Sequence, residues 1–354
     1  MADDLQSTVG RDSRIEALLP LAIDGQAIPQ FRLRDASGLA VDVLALGATV
    51  TQVWLPGADG PIPITCGPDQ NALAAGNPKY LGSTIGRVSN RIRAGQMSLD
   101  GQRYQLTRNL GDDHLHGGEP GFHRKHWQAG VDGKDLHLRC FSPDGEAGYP
   151  GAVDCHARFR VADQALEIEL EASVADKPTP LSLTNHCYWR LGPEPVIDNH
   201  ELCINADRVL AVDAGLLPTG ETRPLIPGAA PPDLRVPAPI RDRVIDDCYL
   251  LDACAAMPSE DLSLAARLRH PGTGRSLALY TDHPALQCYT GHNLDGSTAD
   301  AGHAARAGLC LEPQQYPDAV NQPSFPSCLI APGNTYRHRL RLRFDWPTAP
   351  ATET

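Results

Sequence analysis

Residues 336–344 read YRHRLRLRF, and this stretch alternates between arginine and other side chains after its first residue. Successive side chains of a β-strand point to opposite faces, so an extended chain would place all four arginines on one face. The opposite face would carry His338, Leu340, Leu342 and Phe344. A period of two predicts a strand with one solvated face and one buried face.

Strand-like patterns extend across most of the chain. Residues 166–170, LEIEL, alternate in the same way, and residues 40–55 are rich in Val, Leu and Thr, with Gly47 as an expected bend. The 32 glycines and 31 prolines fit a chain with many turns. Helix signals are few, and one short helix is predicted within residues 255–268. The sequence therefore predicts an all-β fold, a large antiparallel β-sandwich with few short helices.

No internal repeat divides the chain. The Pro-rich residues 224–239 are interpreted as a long surface connection, because strand-like sequence continues on both sides. The polar ends predict a flexible tail at residues 1–13 and a second tail at residues 347–354. A single domain is expected over residues 14–346, since large sandwiches can reach this length.

The composition disfavours several classes of function. Hydrophobic residues make up 42% and charged residues 21% of the 354 residues, which is typical of a soluble globular protein. The net charge of −12 disfavours nucleic acid and membrane partners. The polar N-terminus lacks a signal-peptide profile and no apolar run approaches ~20 residues, so a cytoplasmic location is expected. Ten cysteines without a C-x-x-C pair indicate reduced, buried thiols.

Residues 308–326, GLCLEPQQYPDAVNQPSFP, place a carboxylate at the end of a short apolar strand. Leu309 and Leu311 share one face, and Glu312 points to the other. Pro313 lacks an N–H, so it is expected to end the pairing of the strand and to fix the direction of Glu312. Taken alone, Glu312 is either a solvent-exposed residue at a strand end or a placed acid or base.

Residues 181–191, LSLTNHCYWRL, form a second candidate region. Alternation places His186, Tyr188 and Arg190 on a polar face and leaves an apolar face that suits a core. A polar stripe of this kind is either solvated surface or part of a groove that binds sugars or other polyols. This stretch alone leaves both interpretations open.

Residues 80–95, YLGSTIGRVSNRIRAG, have too many polar and glycine residues for a core strand. The side chains of Asn90 and Arg91 can bond vicinal hydroxyls or a carboxylate, because a guanidinium presents its donors as a planar fork. Arg93 is expected instead to form a surface ion pair.

Residues 112–127, DDHLHGGEPGFHRKHW, contain four histidines. His114 and His116 could chelate a metal from alternate strand positions, but no further ligand completes a known spacing, so no metal is predicted. The two glycines that follow would let the backbone turn, so that His116 enters a pocket and His114 stays outside it.

Two shorter stretches offer further hydroxyl-binding groups. VIDDCYL presents Asp246 or Asp247, and DHPALQCYTG presents Gln287 and Tyr289 on one face of a strand. The sequence contains no phosphate-loop, G-x-S-x-G or G-x-G-x-x-G signature, which leaves those classes of enzyme unsupported.

Together these stretches resemble the aldose 1-epimerases, or galactose mutarotases. Nine motifs occur in the order of that family: GATVTQVWLPGADG, GSTIGRVSNRIRAGQMSLDGQRYQLTRN, HLHGGEPGFHRKHW, SPDGEAGYPG, LTNHCYWRL, LLPTGE, DDCYLLD, LQCYTGHNLDG and LEPQQYPDAVNQPSFP. Each motif is weak alone, but the series covers nearly the whole chain up to Phe344. The resemblance implies a galactose mutarotase-like β-sandwich and the cofactor-free interconversion of the α and β anomers of a hexose.

The resemblance also implies roles for individual residues. Glu312 in the L-E-P-Q motif matches the general base of the family, and His186 in the T-N-H motif matches its general acid. The implied sugar-binding positions are Asn90, Arg91, His116, Asp246 and Gln287. Arg190 stands where the family commonly has Asn, and Asp247 where it commonly has His. With Tyr188, these two residues are the expected specificity positions near the groove.

Anomer interconversion requires the loss of a proton from the C1 hydroxyl and the gain of a proton at the ring oxygen. One base and one acid suffice, so neither a metal nor another cofactor is predicted. Reference pKa values of ~4.3 for Glu and ~6.5 for His predict an ionised Glu312 and a partly protonated His186 at neutral pH. The expected partner is a small monosaccharide, and the expected assembly is a monomer or homodimer.

Three other functions are kept as alternatives. A hexose-6-phosphate 1-epimerase on the same fold would need basic residues at the rim, for which Arg190, Arg241 and Arg243 are candidates. A non-catalytic sugar-binding protein would not need both the acid and the base. A metal-dependent β-sandwich enzyme would use His114 and His116.

Overall fold

The computed structural model describes residues 13–251 and 262–347. The predicted tails at residues 1–13 and 347–354 therefore lie outside the described residues, apart from Ser13 and Pro347.

Within these ranges the chain is built mainly of strands. In chain order they are β1 (Arg14–Ala17), β2 (Leu21–Ile23), β3 (Gln26–Ile28), β4 (Gln30–Arg34), β5 (Ala40–Leu44), β6 (Thr49–Leu55), β7 (Ile62–Pro63), β8 (Thr84–Ile85), β9 (Arg91–Ile92), β10 (Gln96–Leu99), β11 (Gln102–Gln105), β12 (His114–Leu115), β13 (Gln128–Asp132), β14 (Asp135–Ser142), β15 (Val153–Ala162), β16 (Ala165–Val174), β17 (Thr179–Pro180), β18 (Thr184–Asn185), β19 (Tyr188–Trp189), β20 (Glu201–Ile204), β21 (Ala206–Val212), β22 (Pro218–Pro224), β23 (Ala238–Pro239), β24 (Asp246–Leu251), β25 (Ser263–His270), β26 (Arg275–Thr281), β27 (Ala285–Tyr289), β28 (Leu309–Gln314), β29 (Leu329–Ile330) and β30 (Thr335–Asp345).

Helical structure is short. Helix α1 (Gln70–Ala74) begins after Asp69, whose side chain accepts a hydrogen bond from the Ala72 N–H at 2.8 Å and so caps the helix. The described 3₁₀ turns are Arg93–Gly95, Phe122–Arg124, Glu146–Gly148, Thr298–Asp300 and Ala319–Asn321. None of the helices in the described ranges has the length and apolar character needed to cross a membrane.

Three sheets carry most of the strands. The largest has nine strands in the order β13-β14-β15-β16-β30-β26-β25-β20-β23, the second has six in the order β19-β28-β27-β24-β21-β22, and the third has five in the order β1-β4-β5-β6-β7. Every ladder within these three sheets is antiparallel. The remaining described pairings are two-stranded.

One apolar core joins the three sheets. Its buried residues include Val41 from β5, Leu170 from β16 and Leu286 from β27. Sheets packed through a shared apolar layer confirm the predicted all-β sandwich. This one cluster extends from Ile23 to Phe344. Eight of the nine described cysteines are buried, as the sequence predicts.

Strand β30 shows how the alternating sequence determines the layers. Its residues alternate between buried and more exposed along most of its length, and His338, Leu340, Leu342 and Phe344 lie on the buried face, as predicted. On the outer face, Arg337 forms an ion pair with Glu171 of the neighbouring strand β16. The cross-strand pair keeps the polar face in solvent and the apolar face in the core.

The prediction of a helix within residues 255–268 is wrong for residues 262–268, the part that the structure describes. Ser263–His270 form strand β25, and residues 252–261 lie outside the described residues. Strand β25 pairs with β20 on one side and β26 on the other. Hydrogen bonds from two neighbouring strands therefore outweigh the helix propensity of the alanines and leucines in this segment.

Candidate active site

A pocket on one face of the six-stranded sheet collects most of the candidate residues. Four strands of that sheet supply Tyr188, Asp246, Gln287, Tyr289 and Glu312. The other lining residues are Pro78, Lys79, Tyr80, Asn90, Arg91, Leu110, Leu115, His116, His186 and Asn293. The pocket has a volume of about 200 Å³. Drug-sized ligands occupy pockets of ~300–1,000 Å³, so this pocket suits a smaller molecule.

Glu312 is placed by the pleat of strand β28. Leu309 and Leu311 point into the main core, and Glu312 points to the opposite face and is only 2% exposed. The solvent-exposed interpretation of Glu312 is therefore excluded. The expectation that Pro313 ends the pairing is wrong, because β28 pairs with β27 through Gln314. Strand β19 pairs only with the first two residues of β28, so Pro313 lies where the strand has one neighbour and a missing N–H is tolerated.

His186 lies between β18 and β19 and faces Glu312. Its Nε2 is 3.5 Å from Glu312 Oε1, and its side chain is 5% exposed. The region 181–191 forms two short strands rather than one continuous strand. Its predicted polar face is buried from Ser182 to Tyr188 and half-buried at Arg190. The polar stripe is therefore an interior wall rather than solvated surface.

Burial shifts the pKa of both His186 and Glu312 against the charged form. Burial, followed by the charge of Asp246, raises the pKa of Glu312 well above its usual value, although Arg91 opposes the shift. Burial lowers the pKa of His186 to about 4. With a pKa of about 4, His186 is neutral at neutral pH, contrary to the expectation of partial protonation. The raised pKa of Glu312 favours the protonated carboxyl group over the expected carboxylate, so one proton on Glu312 is the favoured state of the pair.

A chain of hydrogen bonds connects four of the other polar residues. Asn90 Nδ2 donates to Gln287 Oε1 at 3.0 Å, and Gln287 Nε2 donates to Asp246 Oδ1 at 2.6 Å. Asp246 Oδ2 lies 3.5 Å from Arg91 Nη2. The backbone N–H of Arg91 donates to Asn90 Oδ1 at 2.8 Å. Because each side chain holds the next, the set is oriented before a ligand enters.

His116 enters the pocket through a tight turn. The backbone of His116 has φ of 52°, and Gly117 follows with φ of +85°. A Cβ on Gly117 would lie 1.8 Å from Gly86 O, so only glycine fits there. His114 stays outside the pocket, where its Nδ1 contacts Thr107 O at 2.6 Å. This is the arrangement that the two glycines predict.

Two groups of described residues bring possible metal ligands together. Ligand atoms of His116, His186 and Glu312 lie within 4.8 Å of one another. A metal-bound neutral histidine donates its other ring N–H to an acceptor. His116 Nδ1 instead accepts the backbone N–H of Asn90 at 3.2 Å, which places its hydrogen on Nε2. This tautomer does not fit a metal at Nε2, and it presents a hydrogen-bond donor instead.

The second group is Asp282, His283 and His338. His283 Nδ1 contacts Asp282 and its Nε2 contacts Tyr336 Oη at 2.8 Å. His338 contacts Leu183 O at 2.8 Å through Nδ1 and a threonine hydroxyl through Nε2. Because all four ring nitrogens have partners, this group is a buried polar network rather than a metal site.

The sequence profile of the aldose 1-epimerase family matches residues 29–343. The chain belongs to the aldose 1-epimerase family. Galactose mutarotase of Bos taurus is 35% identical to it over 338 residues, which cover 92% of this chain and 96% of that protein. Aldose 1-epimerase of Escherichia coli K12 is 31% identical over 349 residues, which cover 92% of this chain and 97% of that protein. The crystal structure of galactose 1-epimerase from Lactobacillus acidophilus NCFM superposes with a TM-score of 0.80 at 26% identity, covering 95% of this chain and 100% of that chain.

The positions where this chain departs from the pattern of the aldose 1-epimerase family lie away from the pocket lining. Arg190 donates to Pro195 O at 3.4 Å, and neither Arg190 nor Asp247 lines the pocket. Strand alternation turns Asp247 to the face opposite Asp246, where burial raises its pKa to about 6. Of the three expected specificity residues, only Tyr188 lines the pocket.

Two residues that shape the site, Tyr80 and Arg87, were not among the predicted site residues. Tyr80 lines the pocket, and its ring lies 4.7 Å from that of His116 and 4.7 Å from that of His123. Arg87 is 2% exposed, and its guanidinium donates to four carbonyl oxygens, those of Ser142, Pro143, Pro150 and Gly151. Arg87 therefore anchors the segment that carries Asn90. The only signal of Arg87 in the sequence is an arginine in a stretch that contains several glycines.

Proposed function

We propose that the protein interconverts the α and β anomers of a free hexose of the glucose or galactose type. The buried pair of His186 and Glu312, 3.5 Å apart in a pocket lined by hydroxyl-binding groups, carries this proposal. Relatives named galactose mutarotase and aldose 1-epimerase support the same reaction.

The proton of the pair moves before the sugar ring opens. Transfer from Glu312 Oε1 to His186 Nε2 produces a carboxylate base and an imidazolium acid. The carboxylate accepts the proton of the C1 hydroxyl, and the imidazolium donates a proton to the ring oxygen as its bond to C1 breaks. Rotation about the C1–C2 bond and the reverse steps form the other anomer and restore both groups. The protons balance without a co-reactant.

The other pocket residues are proposed to hold the sugar. Asn90, Arg91, Asp246 and Gln287 form the connected chain that would bind its hydroxyls, and His116 would donate from Nε2. The rings of Tyr80 and Tyr188 would pack against its C–H faces.

Hexose 6-phosphate is expected to bind poorly. Arg190, Arg241 and Arg243 do not line the pocket. Of the cations that do, Arg91 is paired with Asp246 and Lys79 donates to Asn293 O. We expect the rate on free α-glucose or α-galactose to exceed spontaneous mutarotation clearly in a polarimeter. Glucose 6-phosphate should inhibit with a constant at least about tenfold above the KM for hexose, a gap of about 1.4 kcal/mol. Equal or tighter inhibition would favour the phosphosugar alternative, and no acceleration on any free aldose would contradict the proposal.

The pH dependence of kcat/KM is expected to be bell-shaped. Below about pH 4, the pKa of His186, the pair takes up a second proton and loses its base. Above the raised pKa of Glu312, the pair loses its one proton and with it the acid. Initial rates corrected for buffer catalysis at each pH measure both limbs. A single acid limb near the ordinary histidine value of ~6.5 would contradict the one-proton pair.

A further inference from the structure

Cys310 contacts the imidazole of His186 from the protein interior. Its Sγ lies 3.6 Å from His186 Nδ1, on the same face of β28 as Glu312. The Cys310 side chain is fully buried and does not line the pocket. It belongs to a small buried cluster with Tyr188, whereas Leu309 and Leu311 belong to the main core. The two ring nitrogens of His186 therefore face different groups, Cys310 at Nδ1 and Glu312 at Nε2.

The direction of the hydrogen bond follows from the other ring nitrogen. Nε2 lies 3.5 Å from Glu312 Oε1, and burial raises the pKa of Glu312, which favours the protonated carboxyl group. That O–H can donate to Nε2 only if Nε2 carries a lone pair, so the hydrogen of neutral His186 lies on Nδ1. The Cys310 sulfur, 3.6 Å from Nδ1, then accepts that N–H.

We propose that Cys310 is a positioning residue that holds neutral His186 in the tautomer with its hydrogen on Nδ1. This inference rests on the proposed function. In this tautomer Nε2 carries a lone pair toward Glu312 and can take the proton of the carboxyl group. In the other tautomer an N–H would face that carboxyl group, and the transfer that creates the base and the acid could not occur.

The thiol acts on the chemical step rather than on sugar binding. The bond from Nδ1–H to Sγ persists when His186 becomes an imidazolium, so it also supports the charged form. Burial raises the pKa of the Cys310 thiol well above its usual value, so the sulfur that faces Nδ1 remains a neutral thiol at neutral pH. Because Cys310 does not touch the pocket, its removal should leave KM nearly unchanged.

Kinetics of Cys310→Ala, Cys310→Ser and Cys288→Ala test this role. Cys288 is a matched control, since it is fully buried on the neighbouring strand β27 and points into the main core. We expect Cys310→Ala to lower kcat roughly 3- to 10-fold with KM within about twofold, and Cys310→Ser to recover part of the loss. Cys288→Ala should retain the wild-type kcat. An unchanged kcat in Cys310→Ala, or an equal loss in Cys288→Ala, would overturn the proposal.

The tautomer can be read directly from the wild-type protein. Nitrogen NMR of protein labelled with ¹⁵N-histidine, with the His186 signals identified by their loss in His186→Gln, should show a protonated Nδ1 and a bare Nε2 at neutral pH. A neutral His186 protonated at Nε2 would overturn the proposal even if Cys310→Ala fails to fold. Absence of anomer interconversion by the wild type would instead contradict the proposed function, and the two failures are thereby distinguished.

Discussion

Glu312→Gln is expected to lower kcat by about 10²–10⁴-fold, the range typical of losing a general base. The amide has nearly the shape of the carboxyl group, but it cannot accept the proton of the C1 hydroxyl. It also cannot hold the one proton that Glu312 shares with His186. Burial raises the pKa of Glu312, so the carboxylate formed during the reaction is a stronger base than an exposed glutamate. Because the pocket keeps its shape, the KM for hexose should change by less than about threefold.

Thermal unfolding separates this effect from misfolding. Glu312 Oε2 is buried without a hydrogen-bond partner among the described residues, and an unpaired buried oxygen costs stability. The amide of Glu312→Gln leaves a polar atom at the same position, so the variant should unfold near the wild-type temperature while losing activity in polarimetry. The same substitution at the exposed Glu221 of β22 is the control and should change neither. A Glu312→Gln variant that interconverts anomers near the wild-type rate would refute the assignment of the base.

Patterns that depend on neighbours in the chain could be predicted from the sequence. The alternation in β30 determines which face is buried, because the pleat has a period of two wherever a strand forms. The same rule correctly separates Glu312 from Leu309 and Leu311 on β28. The glycine after His116 identifies the tight turn, because the required backbone angles exclude other residues.

Properties that depend on packing between distant segments could not be predicted. Burial of Glu312 and His186 results from strands that meet only in the fold, and this burial shifts both pKa values against the charged forms. The same limit explains why the prediction of a helix fails in the segment 263–268. There, pairing with two neighbouring strands outweighs helix propensity. Asp247 does not line the pocket, although it was expected near the groove, because it faces the side of the strand opposite Asp246.

His186→Gln is expected to reduce kcat by about 10²–10⁴-fold, because no group then donates a proton to the ring oxygen. Gln places an amide near the position of Nε2, so it retains hydrogen bonding without acid–base chemistry. His126→Gln, at an exposed position, is the matched control.

The decisive measurement is the double variant of His186 and Glu312. His186 and Glu312 are proposed to act as one unit that passes a single proton across 3.5 Å. If so, the removal of either side chain alone already abolishes this proton transfer. The double variant should then be no more than a few-fold slower than the slower single variant. Losses that multiply would show instead that the acid and the base act independently. In that case each residue would draw its proton from solvent, although both side chains are at most 5% exposed.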